Sequence, residues 1–187
     1  MASTLFSRTR TRTEPEVITE PWPEIGETWK PEGVTVAERY ANLVGTVVLV
    51  YNADSCYHVI ACLGCHYLAS TDNNRSYDTR YGLKDASKAA NEHASICRAL
   101  PRDIPARPDE HAARARLHTW VVAMSRRDED RRLHLSDFDS GRLILQRTNE
   151  WIETELRSFA AGRPDVLTAT PSEYSPSFDY KVLRLAS

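Results

Sequence analysis

Four side chains constrain this chain more than anything else in it: Cys62, Cys65, His93 and Cys97. Leu63 and Gly64 separate the first two, the gap that lets two thiolates reach one ion from a tight turn. Gly64 is expected to supply the positive φ that such turns often use. His93 and Cys97 stand four apart in an alanine-rich stretch of helical character, which places their side chains on one face. Three thiolates and one imidazole in two correctly spaced pairs point to zinc in a closed structural site.

The elements around these residues set how such a site is built. Residues 36–43, opened by Thr35, are predicted as a short helix. Residues 45–51, Gly-Thr-Val-Val-Leu-Val-Tyr, have the β-branched density of a buried strand. Asn52-Ala-Asp-Ser55 is turn chemistry and residues 57–62 resume as a strand, so a hairpin delivers the chain to the first cysteine pair. Residues 71–82 are polar and read as a loop. Asp85 is expected to cap a helix with Ala86, Ala89, Ala90, His93, Ala94 and Cys97 along one side, stopped by Pro101. Its small alanines would let it lie close to the hairpin.

Hairpin first and helix second, with C-x2-C followed by H-x3-C, resembles the zinc-finger arrangement in its CCHC variant over about residues 56–100. The resemblance implies Cys62, Cys65, His93 and Cys97 as ligands and zinc as a folding element. It departs in the loop: 27 residues lie between Cys65 and His93, where the short finger has about 12. The longer closure costs about 0.7 kcal/mol more, against roughly 10 kcal/mol from zinc coordination. Length therefore permits the site but weakens transfer of the finger's DNA-reading geometry.

Cys56, His58 and His66 flank the first pair as alternative ligands, although strand alternation favours core or surface roles for them. A redox CxxC would prefer a helix N-terminus, whereas this pair follows a strand. A catalytic zinc site keeps an open position, and neither HExxH nor H-x-E ahead of P-C-x-x-C occurs.

The remainder completes an α+β chain with four stretches. Residues 1–33 form a Pro/Glu/Arg arm with Trp22 and Trp29, residues 34–104 the metal-stapled hairpin and helix, 105–162 a helical region, and 163–187 an extended tail. In the helical region, one helix starts at Pro108 and carries Ala113, Leu117, Trp120, Val121 and Met124. Residues 126–132 alternate in charge and read as a solvated connector. A third helix is predicted over residues 140–161, with Leu145, Thr148, Ile152, Leu156 and Phe159 on one face, Ile144 and Trp151 beside them, and Gly162 at its C-cap. The alternating residues 178–185 could add a strand to a sheet edge, in this molecule or in another.

Charge narrows the function. With 24 Lys+Arg against 26 Asp+Glu, a net charge of −2 argues against a strongly basic nucleic-acid coat or a polybasic membrane binder and leaves room only for a local basic patch. No apolar leader follows Arg8, Arg10 and Arg12, and the longest apolar run, 45–51, is too short to span a bilayer. A cytoplasmic protein with reduced thiols is expected. Lysine occurs only at Lys30, Lys84, Lys88 and Lys181, and the preference for arginine fits a high-GC genome such as that of an actinobacterium or its phages.

These features predict a zinc-stabilised, non-enzymatic recognition protein. DNA or RNA association draws on the finger-like site, the arginine arm and Arg75, Arg80, Lys84 and Lys88. The alternative is a protein-interaction or assembly subunit of a phage or mobile-element complex, docking through Trp22, Trp29 or the C-terminal tail. A zinc enzyme ranks third.

Overall fold

The computed structural model describes residues 26–71, 80–126, 129–173 and 177–185. Its mixed α+β architecture is organised around β2 (Val47–Asn52), in which no residue from Val47 to Tyr51 is more than 2% exposed. β2 pairs with β1 (Thr35–Ala41) and β3 (Val59–Cys62), and β4 (Leu68–Ala69) extends the antiparallel order β1-β2-β3-β4. A strand apolar on both faces needs cover on both. On one face Val48, Val50, Ile60 and Cys62 meet α1 (Leu83–Ile96), which presents Ala86, Ala90 and Ala94. On the other, Val47, Leu49, Tyr51, Val59, Ala61 and Leu63 are covered by Leu143, with Trp29, Val34, Val36 and Ile104 around it.

β1 corrects the helix predicted for residues 36–43. Its helix-tolerant Ala, Glu and Arg are overridden by pairing with β2, and its burial alternates along the strand. The register shifts between Val36 and Glu38. This bulge turns the alternation by one, so Val36 joins the Leu49–Tyr51 side while Tyr40 packs on the Val48–Val50 side.

A second core joins α2 (Glu110–Ser125), α4 (Asn149–Gly162) and a sheet in the order β5-β7-β6, built from β5 (Arg131–Leu133), β6 (Leu167–Pro171) and β7 (Phe178–Val182). Asp109 caps α2 by accepting from Ala112 N–H at 2.7 Å, and Ala113, Leu117 and Val121 face the core as the spacing predicts. Arg114 links α2 to α4 through a two-pronged pair with Glu155, 2.7 and 2.9 Å.

Three expectations change here. The single helix over 140–161 is instead a 3-10 helix (Leu135–Gly141), a short α3 (Arg142–Leu145) and α4, parted where Gln146 takes φ 48°. Buried Arg142 and Arg147 hold that break. Arg142 donates to the Arg147 carbonyl at 3.1 Å and to Asn149 Oδ1, and Arg147 donates to the carbonyls of Gln146 (2.9 Å) and Pro108 (2.8 Å). The second change is in the charged stretch, where Arg131 and Arg132 belong to β5 because β7 offers them a strand partner. The third is in the expected tail: β6 and β7 form a hairpin, and β7 lies in the middle of its sheet with both edges paired. Its apolar Tyr180 and Val182 are buried in the second core.

Of the arm, Trp29 packs on the first sheet and its carbonyl accepts from Arg39 Nη2 at 2.8 Å. Trp22, Arg8, Arg10 and Arg12 lie outside the described residues. No helix among the described residues is long and apolar enough to cross a membrane.

The two cores meet along residues 139–149. Tyr51 donates its hydroxyl to the Asp139 carbonyl at 2.9 Å, and Asn149 Nδ2 reaches the Ala53 carbonyl at 3.4 Å. Gly33 sits at φ +77°, and a Cβ there would lie 1.9 Å from the Arg147 carbonyl oxygen. Gly33→Ala should therefore cost about 3 kcal/mol or more in urea denaturation, from backbone strain and overlap together. Asp139 gives a pH signature. Burial pushes its carboxyl up to about 6 from an ordinary 3.8, against the favourable charges of Arg142 and Arg80. The folded state then holds the proton more tightly, so this contribution is full below about pH 4 and is lost as pH rises through about 6. Asp139→Asn should match wild type near pH 4 and exceed it above pH 7 by on the order of 2 kcal/mol, read from urea midpoints across that range.

Candidate metal centre

Cys62 ends β3 and Cys65 lies in the turn toward β4. Cys62 N–H donates to the Tyr67 carbonyl at 2.9 Å, His66 N–H to the Cys62 carbonyl at 3.2 Å, and Leu63 N–H to the Val47 carbonyl at 3.0 Å. The turn is thereby tied both to itself and to β2. Its positive φ falls on His66, at 61°, and not on Gly64. Gly64 is required by crowding instead: a Cβ would lie 2.7 Å from Thr46 Cγ2 and 2.8 Å from the Leu100 carbonyl oxygen.

The second pair comes from the end of α1. The helix begins after Gly82, with Asp85 in its first turn and no side-chain cap, and it ends at Ile96, before Pro101. His93 is in the last turn. Cys97 is the C-cap, extended at φ −67° and ψ 135°, with its N–H on the His93 carbonyl at 2.9 Å. The helix end thus aims the two ligands along different backbone directions toward one point. The following strand of chain is fixed by the Ala99 carbonyl, which accepts from Asn42 Nδ2 at 3.0 Å and Thr46 Oγ1 at 2.6 Å.

The ligand atoms of Cys62, Cys65, His93 and Cys97 all lie within 4.8 Å of one another, the one such His/Cys/Asp/Glu group found among the described residues. Cys62 Sγ and Cys97 Sγ are 4.0 Å apart, and Cys65 Sγ is 3.3 Å from His93 Nε2. The sulfurs are too far apart for a disulfide, and all four cysteines of the chain are free. Cys62 and Cys97 are buried, Cys65 is exposed, and His93 is half-buried with its ring stacked on Tyr67 at 4.2 Å. That stack fixes the ring plane and holds Nε2 toward the cysteines.

Electrostatics agree with a cation-binding group. Burial pushes the Cys62 thiol up to about 11, while the Ala99 backbone N–H holds Cys97 below its ordinary value. Burial also lowers His93, which keeps the imidazole neutral and its lone pair available. A bound cation would offset the penalty on a buried Cys62 thiolate. This Cys3His cluster can therefore hold a metal ion.

The alternative ligands are placed elsewhere. Cys56 is exposed, His58 sits before the opposite end of β3, and His66 Nε2 lies 2.6 Å from Arg102 Nη1. Of the four basic candidates, Arg75 lies outside the described residues, and Arg80 packs over the Tyr57 ring at 5.3 Å, lining a polar cavity. Lys84 and Lys88 are exposed on α1, with Lys88 3.9 Å from Glu92.

Sequence reasoning missed an apolar surface beside the cluster. Leu43, Ile96 and Leu100 are 76, 75 and 70% exposed, and Leu68 is 47% exposed. The available signal was position: Leu43 precedes a Gly45 turn, and Ile96 lies off the Ala86–Ala90–Ala94 line. Comparison with protein-family models, curated proteins and solved structures returned no match to this chain.

Elemental analysis of the dialysed protein should give about one metal ion per chain. Cys62→Ser and Cys97→Ser should each lower that ratio below about half and lower Tm by about 10 °C, the scale expected when several kcal/mol of coordination is lost. Metal-free wild-type protein with an unchanged Tm in chelator would remove the site.

Proposed function

We propose that this chain is a zinc-stabilised, non-enzymatic docking protein whose rim around the metal centre takes an acidic, apolar-faced peptide segment of a partner protein. Zinc suits the donor set. A tetrahedral site with Zn–S about 2.3 Å and Zn–N about 2.0 Å needs S···S near 3.8 Å and S···N near 3.5 Å; the Cys62–Cys97 and Cys65–His93 separations of 4.0 and 3.3 Å are a few tenths from these, and the remaining pairs lie within 4.8 Å. Four protein donors complete the tetrahedron, which supports a structural ion over a catalytic one. The likeness to a CCHC zinc finger thus lies in the ligands and in their placement on a hairpin and a helix end.

The observation that carries the reading is where apolar side chains remain exposed. Leu43, Val44, Tyr67, Leu68, Ile96 and Leu100 are all at least 36% exposed. They are gathered by the same contacts that build the site: Asn42 and Thr46 on the Ala99 carbonyl, Gly64 against Leu100, and Tyr67 on His93. Clustered exposed apolar residues mark interaction surfaces. Stretches 42–46, 64–69 and 96–102 contain Arg98 and Arg102 and no Asp or Glu. An acidic partner segment complements that charge, and its apolar residues would cover the rim. Phosphate backbone contact would call for more cations and fewer apolar groups there.

The test uses labelled 16-residue peptides with Leu or Phe at helical spacing and Asp or Glu between them, titrated into the zinc-loaded protein. Binding with Kd in the micromolar range is expected, weakened at least tenfold by Ile96→Asp or Leu100→Asp at unchanged zinc content. Absent peptide binding overturns the reading. Duplex binding with a steep salt dependence would then assign the protein to nucleic acid, and concentration-dependent sedimentation would assign the rim to a second copy.

A further inference from the structure

A cavity of about 220 Å³ lies between the start of β3 and the 3-10 helix, at the end of β3 opposite Cys62. Its polar walls include His58, Arg80, Asp139 and the hydroxyl-bearing Ser70, Ser136 and Ser140. This volume is room for about seven waters or one small metabolite.

Two of these groups are buried without partners. His58 is 9% exposed, and its Nδ1 has no hydrogen bond among the described residues. Asn52 Nδ2, 3.4 Å from Nε2, donates to that nitrogen, so the proton resides on Nδ1, on the side of the ring closed to solvent. Asp139 is 7% exposed, and no hydrogen bond or ion pair reaches its carboxyl among the described residues. Arg142, its nearest strong charge, has both terminal nitrogens committed to Arg147 and Asn149. Asp137, also in the wall, is already paired with Arg131 at 2.9 Å and with His134 N–H at 3.0 Å. Arg80 rests its face on Tyr57, which leaves the edge N–H groups for a planar acceptor.

Polar side chains without protein partners that converge on one cavity mark a place where a ligand can supply the bonds. Among the described residues of the wall, the charges without an ion pair are one cation, Arg80, and one anion, Asp139. A simple anion would face Asp139, and a simple cation would face Arg80. We propose that this cavity binds a small zwitterion, a free amino acid or close analogue, with its carboxylate on Arg80, its ammonium on Asp139 and its body beside His58. The proposal is independent of the rim and of its peptide.

Thermal unfolding of the zinc-loaded protein tests it, with each common amino acid at about 10 mM and with acetate, ethylamine and glucose alongside. At least one amino acid should raise Tm by about 2 °C or more while the three controls do not. The same amino acid should move the His58 ring resonance of ¹⁵N-histidine-labelled wild type. Arg80→Gln and Asp139→Asn should each abolish the Tm shift at unchanged metal content. Three results overturn the proposal: no amino acid moves either signal, a control moves them equally, or both variants keep the shift.

Discussion

β2 is apolar toward both sides, and that single property dictates what the rest of the chain must do. Each face of the strand removes from water residues that no solvated surface would tolerate, so the first sheet cannot stand as a one-sided layer. One face is closed by α1 and the other by the segment that bears Leu143. The two covers are fastened by different means. A metal cluster would pin the end of α1 to the turn after β3, whereas the Leu143 segment is held by arginine side chains bonded to backbone carbonyls.

Those arginines are an uncommon solution. Arg142 and Arg147 are almost fully buried, and the Nε of each has no partner among the described residues. Placing two guanidinium groups in the interior opposes stability unless the remaining donors are well used. Here they terminate a non-helical break whose carbonyls would otherwise be orphaned, and Arg147 also lies over the Trp151 ring at 5.3 Å. The same carbonyl that accepts from Arg142 abuts Gly33, so the entry of the chain into β1 and the joint between α3 and α4 are one packing problem.

The legible parts of the sequence were those with local causes. Two spaced ligand pairs, a β-branched strand and an alanine line on a helix each carry their meaning within a few residues, and all three recur in the structure. The missed parts have distant causes. Residues 35–41 have helix-tolerant composition and become a strand because β2 lies beside them. Gln146 adopts a left-handed conformation inside a periodic apolar stretch because Arg142 and Arg147 claim the carbonyls around it. β6 is spelled Leu-Thr-Ala-Thr-Pro and reads as linker until β7 pairs with it. The cavity was illegible for the same reason, since His58, Arg80 and Asp139 come from three separated stretches.

The position of β7 has a consequence for how the molecule is made. It is the middle strand of the second sheet, yet it follows β5, β6 and both long helices of that core in chain order. On the ribosome, the last cluster ligand, Cys97, emerges long before residue 178. The metal half can therefore load its ion and close one face of β2 while the other core still lacks the strand that joins its edges. Early in that interval the Leu49–Tyr51 face awaits Leu143, and to its end the apolar faces of α2 and α4 await their complete sheet. Such a chain emerges with its cluster-bearing part settled first and its largest sticky surface exposed last, which makes late synthesis the stage at which a chaperone has most to cover.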